Sequence, residues 1–376
     1  MLIPFNKKHV SANEKKYIFS MIEDIPGKGS VDFEFECKKI LRGLTKSKSV
    51  HVTNSCTSAL EMAAILCNIK FGDEVIMPSF TFTSTANAVI LRGGVPVFVD
   101  INDTDLNIDV SKIEAAITPK TKAIFVIHYA GVLCDLRNVR DIARRFNLLM
   151  VEDAAQAIGA TRDGISPGEL SDYAAFSFHE TKNITCGEGG CLTTNVAEAN
   201  IRAEIIREKG TNRNAFLRGE ADKYTWRDIG SSYVPSALTV SVLSAQLEEV
   251  KKVNEKKLKI WDYYFEGLSE LENKGFLRRP IIDKECAHNA HIFFILLENK
   301  KSRKNFIEFM KDKGISVLTH YEPLHLTEFS KKNCIVSGKL SVTESISERL
   351  IRLPIYPAML NEHEIVLENV KGFFTS

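Results

Sequence analysis

The sequence lacks several patterns that define common classes of enzyme and binding protein. None of its eight cysteines shows the CxxC spacing of thiol-redox or zinc sites. The GxxxxGK[ST] phosphate loop is absent, and GEGG at residues 187–190 has the wrong spacing for a GxGxxG dinucleotide loop and precedes a strand-like run. These absences argue against a zinc protein, a P-loop ATPase and an NAD-dependent enzyme, and we expect no metal site.

The chain also has little net charge and no long apolar run. Its 49 lysines and arginines face 48 acidic residues, so no overall field draws it to nucleic acid or to an anionic membrane. Residues 1–16 lack the apolar centre of a signal peptide, and no run reaches the roughly twenty apolar residues that span a bilayer. Several cysteines lie in apolar stretches, where a free thiol packs as a small hydrophobe. We expect a cytoplasmic protein without a membrane segment.

Strand-like and helix-like segments alternate over residues 50–210. The expected strands are 51–54, 74–78, 96–100, 123–128, 148–153 and 173–178, and the expected helices are 57–69, 84–91, 110–116 and 136–146. The strands are nearly continuous apolar runs, as in a parallel sheet that helices cover on both faces. The pattern predicts an α/β fold with a mostly parallel central sheet.

The character of the sequence changes after about residue 240. Apolar residues recur at helical spacing over 247–268, followed by a strand-like run at 291–297 and a helix-like run at 302–313. A chain of 376 residues is long enough for two domains. We therefore predict a large domain over 1–240 and a smaller α+β domain over 241–376. The lysines of 251–259 are predicted to form a solvated helix face.

Ligands bind at the carboxyl ends of the strands in sheets of this kind, which directs attention to the residues that follow each run. Asp153 directly follows one strand, and a carboxylate there needs a cation, a metal or N–H donors. Thr57 and Ser58 stand at a predicted helix start, which is a natural phosphate seat. The alternative is an ordinary helix cap.

Lys182 follows the strand at 173–178 and precedes the glycine-rich stretch 187–190. An amine, a buried acid and a phosphate seat at strand ends are what pyridoxal phosphate (PLP) needs: the amine forms a Schiff base, the acid keeps the pyridine nitrogen protonated, and the donors bind phosphate. Phe82 is the candidate aromatic lid, with a buried core phenylalanine as the alternative. Considered without the other two features, Lys182 could equally be a solvated loop charge.

Five stretches carry a family resemblance: FSFHETKNITCGEGG, VEDAAQA, PSFTFTSTANA, VIHYAG and HYEPLH. The chain resembles, over nearly its whole length, the DegT/StrS-type nucleotide-sugar aminotransferases, which are PLP enzymes of fold type I, the aspartate-aminotransferase fold. REKGTNR with DKYTWRDIGSSY, and NSCTSALEMAA with GDEVIMPSFTFTSTANA, resemble most closely the subgroup that makes dTDP-4-amino-4,6-dideoxygalactose.

The resemblance implies a role for each matched residue. Lys182 would be the catalytic lysine that carries PLP, Asp153 would pair with the pyridine nitrogen, and Gln156 would bind the ring hydroxyl. The remaining cofactor contacts would come from Thr57, Ser58 and Ser177 at the phosphate and from Phe82 on the ring. Ser232 stands where relatives commonly have an asparagine that reaches the phosphate of the neighbouring subunit. The chain departs from the family there, although Ser232 could still donate a hydrogen bond.

The resemblance also implies a reaction and its partners. L-Glutamate would donate an amino group to dTDP-4-dehydro-6-deoxyglucose in surface polysaccharide biosynthesis, and the enzyme would be a homodimer with shared active sites. His320 and Tyr321 would line the sugar pocket. The substrate diphosphate would meet cations of 207–227, namely Arg207, Lys209, Arg213 and Arg227. The alternatives are a different keto sugar or product stereochemistry, a PLP sugar dehydratase or non-catalytic paralogue, and a DNA-binding regulator, which would need a basic face.

Overall fold

The structure, a computed structural model, describes residues 2–23 and 32–375. Twelve strands are found there. They are β1 (Ser49–Thr53), β2 (Glu74–Pro78), β3 (Val95–Val99), β4 (Thr121–Ile127), β5 (Leu149–Asp153), β6 (Thr161–Arg162), β7 (Tyr173–Ser177), β8 (Gly190–Thr194), β9 (Cys286–Ala287), β10 (Phe293–Leu296), β11 (Ile335–Val336) and β12 (Leu350–Leu353).

Eight of these strands form one sheet in the order β1-β8-β7-β5-β4-β2-β3-β11. The strands from β7 to β11 in this order are parallel, whereas β8 runs antiparallel to both of its neighbours. The mostly parallel sheet is confirmed. Because β4, β5 and β7 are parallel neighbours, the residues that follow them meet at one edge of the sheet, as expected for a ligand site.

Fourteen α-helices accompany the strands within the described residues. They are α1 (Glu14–Ile22), α2 (Phe33–Thr45), α3 (Cys56–Leu66), α4 (Thr83–Ile90), α5 (Leu136–Arg145), α6 (Ala199–Arg207), α7 (Arg213–Leu217), α8 (Ala237–Leu247), α9 (Val250–Gly267), α10 (Ser269–Asn273), α11 (Lys300–Asp312), α12 (Glu328–Asn333), α13 (Ser341–Arg349) and α14 (Glu362–Thr375). None of them is long and apolar enough to cross a membrane.

Two large apolar clusters cover the sheet, one including Val126 and Phe176 and the other including Phe125 and Val151. Successive residues of a strand point to opposite faces, so the two clusters lie on opposite faces of the sheet. A third cluster, built mostly from residues 260–370, forms a separate core. The sheet is therefore buried on both sides, which explains why its strands are apolar throughout.

The strand predictions agree with the structure to within about two residues, but the helix predicted at 110–116 is wrong. Two short 3-10 turns occupy Val110–Lys112 and Glu114–Ala116. Pro119 follows shortly and the residue before a proline favours extended backbone, while Ile117 is already extended. The apolar spacing there comes from burial of Ile113 and Ala116 without a full helix.

The division at residue 240 stays a prediction, and two segments cross it. β11 pairs in parallel with β3 inside the large sheet. Ile3 packs in the third cluster with residues of the C-terminal part. Helix α9 contributes Val250 and Val253 to one core and Ile260 to another, so it joins the two parts of the chain.

Candidate functional site

A cavity of about 490 Å³ opens at the carboxyl ends of the parallel strands. Eight of the predicted residues line it: Thr57, Phe82, Asp153, Gln156, Ser177, Lys182, His320 and Tyr321. They come from five separate segments of the chain, so only the fold brings them together. The cavity is the natural candidate for the active site.

Asp153 ends β5 and is 7% exposed. Its Oδ2 accepts a hydrogen bond from Thr85 Oγ1 at 2.6 Å, and its Oδ1 accepts one from the backbone N–H of Ala155 at 3.2 Å. Thr85 uses its only hydroxyl proton on Asp153, so Thr81 donates in the 2.9 Å contact between the two threonine hydroxyls. The Thr85 hydroxyl and the Ala155 N–H thus fix the carboxylate, which lines the cavity.

Lys182 follows β7 in a turn that its backbone N–H closes with the carbonyl of His179 at 2.9 Å. No hydrogen-bond or ion-pair partner exists for its side-chain amine within residues 2–23 and 32–375. Burial lowers the pKa of this amine, with a smaller contribution in the same direction from Arg352, while Cys56 and Asp153 act in the opposite direction. The amine therefore deprotonates more easily than that of an ordinary lysine.

The start of α3 carries hydroxyl groups towards the same cavity. Ser55 caps the helix, since its Oγ accepts the backbone N–H of Ser58 at 3.1 Å. The hydroxyl of Thr57 lies 2.8 Å from that of Ser84, and both residues line the cavity. Ser58 is not among the lining residues, because its hydroxyl donates to Asn54 Oδ1 at 2.6 Å inside the cap. At this helix start Ser55 caps the helix, while Thr57 lines the cavity.

Gln156 uses both ends of its side-chain amide within the chain. Its Oε1 accepts the backbone N–H of Ala130 at 2.8 Å, and its Nε2 donates to the Tyr321 hydroxyl at 2.7 Å. Tyr321 stacks on His320 with ring centroids 3.8 Å apart. His320 Nδ1 lies 2.7 Å from the Tyr129 hydroxyl, and burial holds the pKa of His320 well below its ordinary value. This wall of the cavity is aromatic and uncharged.

Phe82 stands at the N-terminal cap position of α4, with 59% of its surface exposed. Its ring lines the mouth of the cavity and is not part of the core. The alternative of a buried core phenylalanine is excluded, and the position suits a residue that covers a ligand.

The predicted diphosphate cations do not lie in the cavity of their own chain. Lys209 and Arg213 are exposed and lie 3.7 and 3.8 Å from Glu208 oxygens, and Ser232 is exposed as well. The prediction for Arg207 is wrong: it is 3% exposed, donates to the Val52 carbonyl at 2.7 Å, and pairs with a glutamate of α2. This buried arginine therefore has a structural role, since its contacts join α6 to β1 and α2.

Sequence reasoning missed three basic residues of the cavity: Lys257, His291 and Arg352. Lys257 was assigned to a solvated face but is 3% exposed. A signal existed, since it lies four residues after Val253 and four before Trp261 on the apolar face of α9. The other lysines of that run, Lys251, Lys252, Lys256 and Lys259, are exposed as predicted.

Arg352 of β12 also lines the cavity. Its Nε and one terminal nitrogen donate to the Thr319 carbonyl at 3.1 and 2.7 Å, and its guanidinium lies 4.8 Å from the Phe5 ring centroid. No carboxylate lies within ion-pair distance of it in the described part of the chain. His128, at the end of the strand predicted at 123–128, is a buried structural residue paired with Glu152 at 2.7 Å.

Comparison with known proteins agrees with this geometry. The profile of the DegT/DnrJ/EryC1/StrS aminotransferase family matches residues 23–371, and the chain belongs to that family. GDP-perosamine synthase of Caulobacter vibrioides is 33% identical over 321 residues, which cover 84% of each protein. The spore coat polysaccharide biosynthesis protein SpsC of Bacillus subtilis is 30% identical over 336 residues, which cover 87% of this chain and 86% of SpsC.

A solved structure extends the likeness to the whole fold. NtdA of Bacillus subtilis, crystallised with the cofactor PMP, is 28% identical and has a TM-score of 0.86, covering 98% of this chain and 83% of NtdA. The chain therefore has the α/β fold of type I PLP-dependent transferases and is an aminotransferase that uses PLP.

The residues of the cavity fit this cofactor. PLP needs an amine for its aldehyde, an acid for its ring nitrogen and hydrogen-bond donors for its phosphate. The cavity offers the unpartnered amine of Lys182, the anchored carboxylate of Asp153, and the hydroxyls of Thr57 and Ser177 near the start of α3. An aromatic ring, Phe82, stands beside them.

Proposed function

We propose that this enzyme transfers the amino group of L-glutamate to dTDP-4-dehydro-6-deoxy-D-glucose, which gives dTDP-4-amino-4,6-dideoxy-D-galactose and 2-oxoglutarate. The main support is that the Lys182 amine, which has no partner among residues 2–23 and 32–375, and the anchored carboxylate of Asp153 face one cavity at the sheet edge. Sequence stretches that resemble the 4-amino-4,6-dideoxygalactose subgroup support this substrate. A 3-amino sugar, or the 4-amino-4,6-dideoxyglucose isomer, is the alternative product.

Lys182 is assigned as the residue that carries the cofactor through its ε-amine and then moves protons. When bound, PLP withdraws electrons from the donor's α-carbon and so makes its proton removable. A lysine acts as a base only when it is neutral, and burial lowers the pKa of Lys182 in that direction. Its amine would take the α-proton of glutamate and, in the second half-reaction, return a proton to C4 of the sugar.

Asp153 is assigned to the pyridine nitrogen. A carboxylate favours a protonated nitrogen beside it, and the Thr85 hydroxyl and the Ala155 N–H fix its orientation. Thr57 and Ser177 are assigned to the phosphate, with Ser58 acting through the helix start and not through its own hydroxyl. Gln156 is assigned to the ring hydroxyl and Phe82 to the face of the ring.

The amino donor carries two carboxylates, and the cavity offers a cation for one of them. Arg352 lines the cavity and has no acidic partner in the described residues, while its free edge retains N–H donors. A guanidinium of this kind binds a carboxylate with directed, charge-assisted hydrogen bonds. His320 and Tyr321, which form the aromatic wall, are assigned to the sugar ring.

A homodimer with shared active sites is the proposed assembly. Lys209, Arg213 and Ser232 are exposed and do not line the cavity of their own chain, and Trp226 nearby is 82% exposed. A large exposed aromatic beside basic residues is typical of an interaction surface. These residues would reach the cavity of the other subunit, where the cations would hold the diphosphate and Ser232 would lie near the cofactor phosphate.

Hybrid dimers test the shared site. Lys182→Ala and Arg213→Ala damage different halves of a shared site, so an equal mixture that has exchanged subunits should recover about one quarter of wild-type activity, although neither variant is active alone. A mixture that stays as inactive as its components would exclude sharing through Arg213.

Analysis of the product tests the proposed reaction. The enzyme is incubated with PLP, L-glutamate and dTDP-4-dehydro-6-deoxyglucose, and the nucleotide sugar is examined by NMR while 2-oxoglutarate is measured. An axial amine at C4 is the expected result, and a small coupling constant between H3 and H4 would report it. A large coupling would indicate the gluco isomer, and no release of 2-oxoglutarate would exclude transamination of this substrate.

The proposed cellular setting rests on the family. The pathway would be that of a surface polysaccharide, of the O-antigen or enterobacterial common antigen type. A spore coat polysaccharide protein among the relatives supports this setting. All eight cysteines are free, as expected in a reducing cytoplasm.

A further inference from the structure

A second buried lysine, Lys257, faces the same cavity as Lys182. Its amine donates to Asn183 Oδ1 at 2.6 Å and to the His291 carbonyl at 3.0 Å. Both acceptors are neutral, and no ion pair is found for Lys257 within residues 2–23 and 32–375. A buried cation without a carboxylate is costly, so an apolar residue at this position of α9 would stabilise the fold better.

The contact with Asn183 connects Lys257 to the residue that adjoins Lys182 in sequence. Asn183 Nδ2 donates to Asn254 Oδ1 and to the Asn289 carbonyl, both at 2.9 Å. These two bonds fix which way the amide points, so its oxygen faces Lys257. The backbone after Lys182 is therefore held from α9 through one oriented side chain.

The charges around Lys257 are mostly positive or neutral. The titratable and charged groups that line the cavity with it are Lys182, His291, His320, Arg352, Asp153, Cys56, Tyr321, His179 and Glu188. Burial, followed by the charge of Lys182, lowers the pKa of Lys257 to about 7. Burial also keeps the pKa of His291 and of His320 well below the ordinary value, so neither ring competes for protons near neutrality.

We propose that Lys257 is a positioning residue for Lys182: it fixes the neighbouring backbone through Asn183, and its positive charge opposes a positive charge on the Lys182 amine. The inference rests on the proposed role of Lys182. The charge of Lys182 helps to lower the pKa of Lys257. Because an electrostatic coupling between two sites is reciprocal, a proton on Lys257 makes it harder to protonate the nitrogen of Lys182. The two amines titrate as a coupled pair.

Variants that retain or remove the positive charge of Lys257 test this. Lys257→Met also removes the hydrogen bonds to Asn183 and to the His291 carbonyl, whereas the neutral Lys257→Gln keeps an N–H donor. Lys257→Arg keeps a positive charge at every working pH, and Lys257→Met removes the charge while keeping an unbranched chain. The first measurement is the pH titration of the visible absorbance of enzyme-bound PLP. The second, made without cofactor, is the pH dependence of Lys182 acylation by acetic anhydride, measured by peptide mass spectrometry.

The expected order of midpoints in both measurements is arginine lowest, wild type between and methionine highest, with about one pH unit between the extremes. Lys256→Met, on the exposed side of the same helix, serves as control and should match wild type. Equal midpoints for the arginine and methionine variants would overturn the inference.

The two proposals fail in different ways. If Lys182→Ala still binds PLP with the wild-type spectrum, the proposed function of Lys182 is wrong whatever Lys257 does. If Lys182→Ala loses the spectrum but the Lys257 variants titrate together, only the coupling is wrong. Should the arginine not fit, Lys257→Gln provides a second neutral variant and must titrate with methionine above wild type, or the inference fails.

Discussion

The Thr85 hydroxyl donates a 2.6 Å hydrogen bond to Asp153 Oδ2, at the point where β5 opens into the cavity. The threonine belongs to α4 and the aspartate to β5, so the carboxylate is held across two elements. An acid that must face a pyridinium gains from such support, because a fixed carboxylate does not need to reorient when the ligand binds.

Thr85→Val should therefore weaken PLP binding by roughly tenfold, because the isosteric valine removes one hydrogen bond to a charged group without opening a cavity. The measurement is a PLP titration followed by absorbance. Thr118→Val is a matched control, since Thr118 also donates to a carboxylate, Glu74 Oε2 at 2.6 Å, on a side of the molecule away from the cavity. Equal losses in both variants would show a general effect on stability.

Asp153→Asn should impair the enzyme more than Thr85→Val does. The amide keeps the shape but not the charge that favours a protonated pyridine nitrogen, so we expect turnover to fall by at least about a hundredfold. Single-turnover kinetics with L-glutamate measure this step alone. Wild-type rates in Asp153→Asn would remove the aspartate from the mechanism.

Lys182→Ala should abolish both turnover and the visible absorbance of covalently held PLP, because no other amine takes its place in the same geometry. Circular dichroism checks that the fold is retained. Lys251→Ala, an exposed lysine of α9, is the control and should keep the spectrum. A wild-type spectrum in Lys182→Ala would contradict the assignment.

Lys257→Met should stabilise the cofactor-free protein, and more at low pH. Burial lowers the pKa of Lys257 from 10.5 to about 7, so between these values the unfolded chain binds more protons than the folded one. Wild-type stability consequently rises with pH through this window, by up to about 1.4 kcal/mol per unit, and is lowest below it. Methionine removes that slope.

Urea unfolding at about pH 6 and at about pH 9 measures the difference. The advantage of methionine over lysine should shrink at the higher pH, while the exposed control Lys256→Met should show a constant difference from wild type. An advantage of the same size at both pH values would mean that folding does not lower the pKa of Lys257.

Glu152→Ala should destabilise the fold by about 3 kcal/mol without changing the spectrum of bound PLP. The carboxylate accepts from His128 at 2.7 Å and from the Gly168 N–H at 3.0 Å, and both side chains are fully buried. Removing one partner leaves the other polar group unsatisfied. Glu152→Gln keeps acceptors in place and should cost less. Chemical denaturation provides the comparison.

The sheet and most of the site were predictable from the sequence for a physical reason. A doubly covered parallel sheet demands apolar runs, and ligands collect where those runs end, so Asp153 and Lys182 stand out on position alone. His320 and Tyr321 could be assigned only through the family resemblance, because nothing in local pattern shows that they meet Gln156.

Two errors at the level of single residues arose where charge was taken as a sign of exposure. Lys257 and Arg207 are both about 3% exposed, although lysine and arginine are usually solvated. Arg207 has a carboxylate partner from α2, a contact that joins distant parts of the chain. The position of Lys257 on an apolar helix face was visible, but its partners become known only when the chain is folded.

The path of α9 has a consequence for any attempt to simplify this enzyme. A polypeptide ending at residue 240 would retain seven strands of the main sheet but would lose β11, Lys257, His291 and Arg352. In such a fragment the cavity would lack one wall, and the Lys182 amine would be exposed to bulk water. A complete cavity therefore requires residues from both sides of position 240.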